Sequence, residues 1–74
     1  MLRACIIGMG PVGNIHADVY RQLTNAELVA VCDVIPERAE AAGKKYGIPY
    51  YLAAGEMLAK EKPDIVSVAT GGFE

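Results

Sequence analysis

Apolar and polar positions along this chain fall into blocks whose periods change from one to the next. Ala4-Cys5-Ile6-Ile7 is a continuous apolar run closed by Gly8, which suits a strand buried on both faces of a parallel sheet. From Val12 the period changes: Val12, Ile15, Val19 and Leu23 are spaced by three, four and four. That spacing predicts a helix with those four residues on its inner face and Asn14, Asp18, Arg21 and Gln22 turned outward. Thr24-Asn25 is turn chemistry, and Leu28 to Cys32 is a second apolar run that closes in Asp33.

The second half repeats the alternation. Pro36 and Glu37 suit a helix start, Ala39, Ala42 and Tyr46 an inner stripe, Lys44 and Lys45 a last turn, and Gly47 a left-handed stop. Ile48 to Leu52 contains Pro49, which has no N–H for a ladder, so a short edge strand is expected there. Ala54 to Glu61 predicts a third helix with Met57 and Leu58 inward, stopped before Pro63. Ile65 to Ala69 predicts a fourth strand, followed by Thr70-Gly71-Gly72. Alternating strands and helices imply an α/β fold: a partial Rossmann (doubly wound) parallel sheet with right-handed crossovers and strand order 3-2-1-4.

Within this frame one stretch carries chemistry. Gly8-Met9-Gly10-Pro11-Val12-Gly13 lies between the first strand and the first helix, and Asp33 follows twenty residues after Gly13. Such a turn lets main-chain N–H groups approach a pyrophosphate: Gly8 permits the tight turn, Gly10 the close approach, and Gly13 the packing of helix on strand. The start of the helix adds free N–H groups and partial positive charge, while Pro11 and Val12 add stiffness. Asp33, at the end of the second strand, is placed to accept hydrogen bonds from adenosine ribose hydroxyls. Its charge opposes a 2′-phosphate, so NAD is the expected cofactor, ahead of NADP. Arg38, five residues on, is a candidate for contact with adenine.

Composition narrows the classes. Seventy-four residues, 53% apolar and 22% charged, describe one small globular unit, not a disordered chain. The net charge of −2 and the scattered basic residues give no footprint for nucleic acid. The apolar run before Gly8 is too short for a membrane span or a signal-peptide core, so a cytoplasmic location is expected. Cys5 and Cys32 sit in strands whose registers would not oppose them, and they read as small buried hydrophobes. No cysteine, histidine or carboxylate cluster has the spacing of a metal site.

The order of these pieces resembles the N-terminal segment of the glucose-fructose oxidoreductase and inositol dehydrogenase (Gfo/Idh/MocA) family. The likeness rests on Gly-x-Gly-x-x-Gly-x-x-His from Gly8 to His16, Ala26 to Asp33, Glu37-Arg38-Ala39, Lys45 to Ile48, and Asp64 to Thr70. It implies an NAD(P)-dependent oxidoreductase acting on a sugar, cyclitol or related polyol, with a larger substrate and oligomerisation domain that this chain lacks. This chain is therefore expected to be a fragment of a longer parent enzyme, itself a homo-oligomer. Thr70, where the family usually continues Thr-Pro-Asn, is expected to line the cofactor cleft. The family's catalytic lysine lies in Glu-Lys-Pro after the fifth strand. Glu61-Lys62-Pro63 instead follows a helix and precedes the fourth strand, at the opposite edge of the sheet, so Lys62 is expected to be a helix-end cation and no catalytic residue is expected here. His16 reads as a structural residue. Two other readings stay open on the residues alone. One is a flavoprotein segment, since Gly-x-Gly-Pro-x-Gly occurs there, although usually with glutamate at the end of the second strand. The other is a non-catalytic NAD(H)-sensing module.

Overall fold

In a computed structural model, which describes residues 1–69, seven elements follow one another as strands and helices in turn. They are β1 (Leu2–Ile7), α1 (Pro11–Gln22), β2 (Ala26–Cys32), α2 (Pro36–Tyr46), β3 (Tyr50–Tyr51), α3 (Ala54–Glu61) and β4 (Ile65–Val68). The strands form one parallel sheet in the order β3-β2-β1-β4. This is the order expected of βαβ crossovers of one hand, two running one way from β1 and the third returning to its other side.

Each face of the sheet has its own apolar cluster. On one, Ile6, Leu28, Val31 and Ala69 meet Ala17 of α1 and Ala42 and Tyr46 of α2. On the other, Cys5, Ala30 and Cys32 meet Met57 of α3. The register of β1 on β2 is interrupted once. Ala4 pairs with Leu28 but Cys5 with Ala30, so Val29 is an extra residue in β2. Leu28 and Val31 therefore share the α1/α2 face, while Val29, Ala30 and Cys32 belong to the α3 face.

Two expectations about helix faces are corrected. In α1 the buried residues are Gly13 and Ala17, whereas Val12, Ile15 and Val19, and Leu23 just past its end, are exposed. A second stripe, Gly13-Ala17-Tyr20, has the same helical spacing and is made of residues that let the helix approach the sheet, with Tyr20 bonding Ser67 of β4 at 2.7 Å. The larger apolar residues are carried on its flank. Asn14 faces inward as well, because its side chain bonds the glycine turn and Tyr46. In α3 Met57 is fully buried but Leu58 is 38% exposed, so the inward face is one residue wide.

The ends of the helices follow the local chemistry. Proline opens α1 and α2, and Gly47 closes α2 in the left-handed region (φ 67°). α2 lies close to β3 because Gly43 has no side chain: a Cβ there would be 2.8 Å from Cδ1 of Tyr50. Lys62 caps α3, also left-handed (φ 47°), with its N–H donating to Leu58. Next to it, Asp64 and Arg3 exchange main-chain and carboxylate bonds at the start of β1. Glu61-Lys62-Pro63 therefore stands at the end of the sheet opposite the glycine turn. Cys5 and Cys32 are free and buried. Burial, with Glu61 nearby, pushes the Cys5 thiol up to about 11, and burial with Asp33 pushes Cys32 up.

Candidate dinucleotide-binding site

The carboxyl ends of β1 and β2 converge on a cleft of about 420 Å³ between the glycine turn and the start of α2. Gly8 leaves β1 with φ 98°, a conformation that favours glycine. Its N–H donates to the Cys32 carbonyl at 2.7 Å, which ties the turn to the end of β2. The chain then enters α1 with Gly10 as its extended N-cap residue and Pro11 in the first turn. No side chain caps this end and no acidic residue lies in its first turn. The Val12 and Gly13 N–H groups, which have no partner within a helix, are thus left for an anion.

Of the two inner glycines, Gly13 is required sterically and Gly10 leaves room for a neighbouring side chain. A Cβ on Gly13 would lie 1.8 Å from the Gly8 carbonyl oxygen, so the first turn of α1 rests directly on the turn that precedes it. A Cβ on Gly10 would lie 3.2 Å from Nη1 of Arg38. The guanidinium, carried by the first turn of α2, thus reaches across to the glycine turn. Asn14 secures the same turn from inside the helix, its amide donating to Met9 and Gly10 carbonyls at 3.1 and 3.0 Å.

Asp33 is the one buried charged side chain among the described residues, 6% exposed. Its Oδ2 accepts the Met9 N–H at 2.7 Å and its Oδ1 the Ile35 N–H at 2.9 Å, while its own N–H donates to Tyr51 of β3 at 3.1 Å. A buried carboxylate is tolerable only with such donors.

Of the residues predicted from sequence, Gly8, Gly10, Pro11, Val12, Asp33 and Arg38 line this one cleft. Gly13 is packed beneath it. Thr70 lies outside the described residues; its predecessor Ala69 lines the cleft. Sequence reasoning passed over the apolar walls, Ile7, Val34, Ile35 and Ala54. Val34 and Ile35 carried a signal, because two large apolar residues in a turn leave their side chains in water, and they are 82% and 41% exposed. Nδ1 of His16 is buried without a hydrogen-bond partner among the described residues.

A glycine turn on an uncapped helix start, with an acidic residue closing the adjacent parallel strand, defines a dinucleotide-binding unit of the Rossmann class. The chain belongs to the Gfo/Idh/MocA oxidoreductase family with an NAD-binding Rossmann fold, whose family model matches residues 2–73. Among curated relatives, it is 39% identical over 69 residues to a D-apiose dehydrogenase of Paraburkholderia graminis, covering 92% of this chain and 18% of that protein. It is 42% identical over 71 residues to a D-glucoside 3-dehydrogenase of Escherichia coli, covering 93% of this chain and 20% of the relative. The fold matches the WlbA dehydrogenase of Bordetella pertussis, solved in complex with NADH and UDP-GlcNAcA, with a TM-score of 0.87 at 31% identity over 93% of this chain and 22% of that one. The chain spans about a fifth of the length of these relatives.

Proposed function

We propose that the chain binds NAD at the cleft between the glycine turn and α2, as the first part of the cofactor domain of a dehydrogenase acting on a sugar, cyclitol or related polyol. The observation that carries this reading is the meeting of Gly8, Gly10, the open start of α1 and Asp33 at one cleft. The space a Cβ would fill at Gly10 is where a phosphate can approach the main chain, and the Val12 and Gly13 N–H groups point donors and partial positive charge toward it. Pro11 holds this start rigid. Asp33 keeps acceptor capacity for a ribose hydroxyl, since each carboxylate oxygen can take two bonds and has one protein donor. Arg38 and Ile35 would flank the adenine, and Thr70 would line the far side of the cleft. When bound, the nicotinamide supplies the hydride acceptor or donor; the residues here bind and orient and do no proton chemistry.

The charge of Asp33 favours NAD over NADP. Two unit charges about 4 Å apart at an effective dielectric near 20 interact by roughly 4 kcal/mol before screening. The relatives named above are dehydrogenases of sugar-type compounds, which supports the substrate class. The substrate domain and the residues that move protons would belong to chain outside these residues, and the parent would act in the cytoplasm as a homo-oligomer. The test is a fluorescence titration of this chain with NADH and NADPH. Tighter binding of NADH is expected, equal affinity would overturn the cofactor preference, and binding of neither would overturn the site. The NAD-binding family match favours this over a flavin.

A further inference from the structure

Both oxygens of Asp33 are engaged before any ligand arrives. If its role were confined to ribose hydroxyls, the carboxylate would stand open to the cleft. Instead the residue is 6% exposed and holds two main-chain N–H groups from two different turns. One is Met9, between Gly8 and Gly10; the other is Ile35, which leads into α2. Gly8 and Met9 are thus successive amides anchored on the last residue of β2 and the residue after it, to the Cys32 carbonyl at 2.7 Å and the Asp33 carboxylate at 2.7 Å. The bond to Ile35 fixes the approach to the helix that carries Arg38, whose guanidinium lies against Gly10. One side chain therefore ties together the two walls of the cleft.

We propose that Asp33 is a positioning residue, which holds the Gly8–Gly10 turn in the shape that receives a diphosphate independently of any bond to ribose. The proposal rests on the nucleotide reading above and deepens it. Its physical basis is that a charged, buried acceptor makes stronger bonds than a neutral one. A turn containing two glycines has wide conformational freedom to lose on binding. Fixing the Met9 peptide in the free chain removes part of that cost before the ligand comes.

The experiment compares two nucleotides, ADP and 2′,3′-dideoxy-ADP, which share the diphosphate but differ in the ribose hydroxyls. Binding of each is measured calorimetrically to the unaltered chain, to Asp33→Ala and to Asp33→Asn. Positioning predicts that Asp33→Ala weakens both ligands by a similar factor, on the order of tenfold. Asp33→Asn, which keeps one acceptor oxygen, should weaken both by less. Loss confined to ADP, with dideoxy-ADP bound as before, would show a ribose contact alone and overturn the proposal. No loss for either ligand would overturn it too. Hydrogen exchange of the unaltered, unliganded chain gives a second readout that needs no variant to fold. The Met9 amide should be protected like the amides of β1, and exchange at the rate of an open loop would refute the clamp. If the unaltered chain binds neither nucleotide, the nucleotide reading fails, and Met9 exchange still decides whether Asp33 holds the turn.

Discussion

A methyl group at Gly13 would sit 1.8 Å from the Gly8 carbonyl oxygen, and neither atom belongs to a flexible side chain that can step aside. Gly13→Ala must therefore lift α1 away from β1 or distort the turn. The expected outcome is a loss of roughly 1–3 kcal/mol or more in urea unfolding, together with at least a tenfold weaker NADH titration. Native-like binding by this variant would show that the turn has slack the geometry does not suggest. The glycines were legible in the sequence because backbone freedom and close approach leave a residue-type signature. The role of Asn14 was not legible: an asparagine in the first turn of a helix reads as solvent-facing until the carbonyls of Met9 and Gly10 are known to lie within its reach.

At the scale of elements, β3 and α3 are joined by a bond that ties stability to alkaline pH. The Tyr51 hydroxyl donates to Glu61 at 2.6 Å, and Glu61 in turn pairs with Arg3 at 3.1 Å. The bond to the Glu61 carboxylate, with burial second, pushes the Tyr51 phenol from its ordinary 10 up to about 12. The folded chain then holds this proton more tightly than the unfolded chain does. Its contribution is complete below pH 10 and is lost as the pH rises from 10 to about 12. Urea unfolding across that window should show stability falling with pH, and Tyr51→Phe should flatten the slope. A slope of the same size in the variant would place its origin elsewhere. Element order, type and strand neighbours were all legible, since they follow from changes of period and from crossover handedness. The inner face of α1 was not. Two stripes with helical spacing compete there, and a pattern weighted by hydrophobicity selects Val12, Ile15 and Val19 over Gly13 and Ala17. What decides the matter is how closely a helix must approach a sheet, which favours small residues.

At the scale of the whole sheet, the two edges formed by the described residues differ. The β3 edge is two residues long and preceded by Pro49, which blunts it. The β4 edge, Ile65-Val66-Ser67-Val68, carries no charge, proline or bulge, and Val68 is 66% exposed. Such an edge promotes pairing between chains. Light scattering of this chain should rise with concentration, and Val68→Lys should reduce that rise while changing stability by no more than about 0.5 kcal/mol. Equal scattering from the variant would point away from β4 as the contact. The cleft was legible at this scale only in part. Its turn, its acid and its arginine leave short-range signals, whereas its walls come from Ile7, Val34, Ile35 and Ala54, four separate stretches that only the folded sheet brings together.

The extra residue in β2 has a consequence for how such chains tolerate change in length. Val29 sits between the Ala4–Leu28 and Cys5–Ala30 pairs, and every residue after it runs in step with β1 up to the Ile7–Cys32 pair. A β2 one residue shorter, with the ladder unbroken, would deliver Asp33 to the same place beside Met9. A β2 of the present length without the interruption would carry the carboxylate one step further and onto the opposite side of the sheet. The interval between the glycine turn and its acid can therefore shorten by one residue at Val29, with the ladder made continuous, and leave the site where it is.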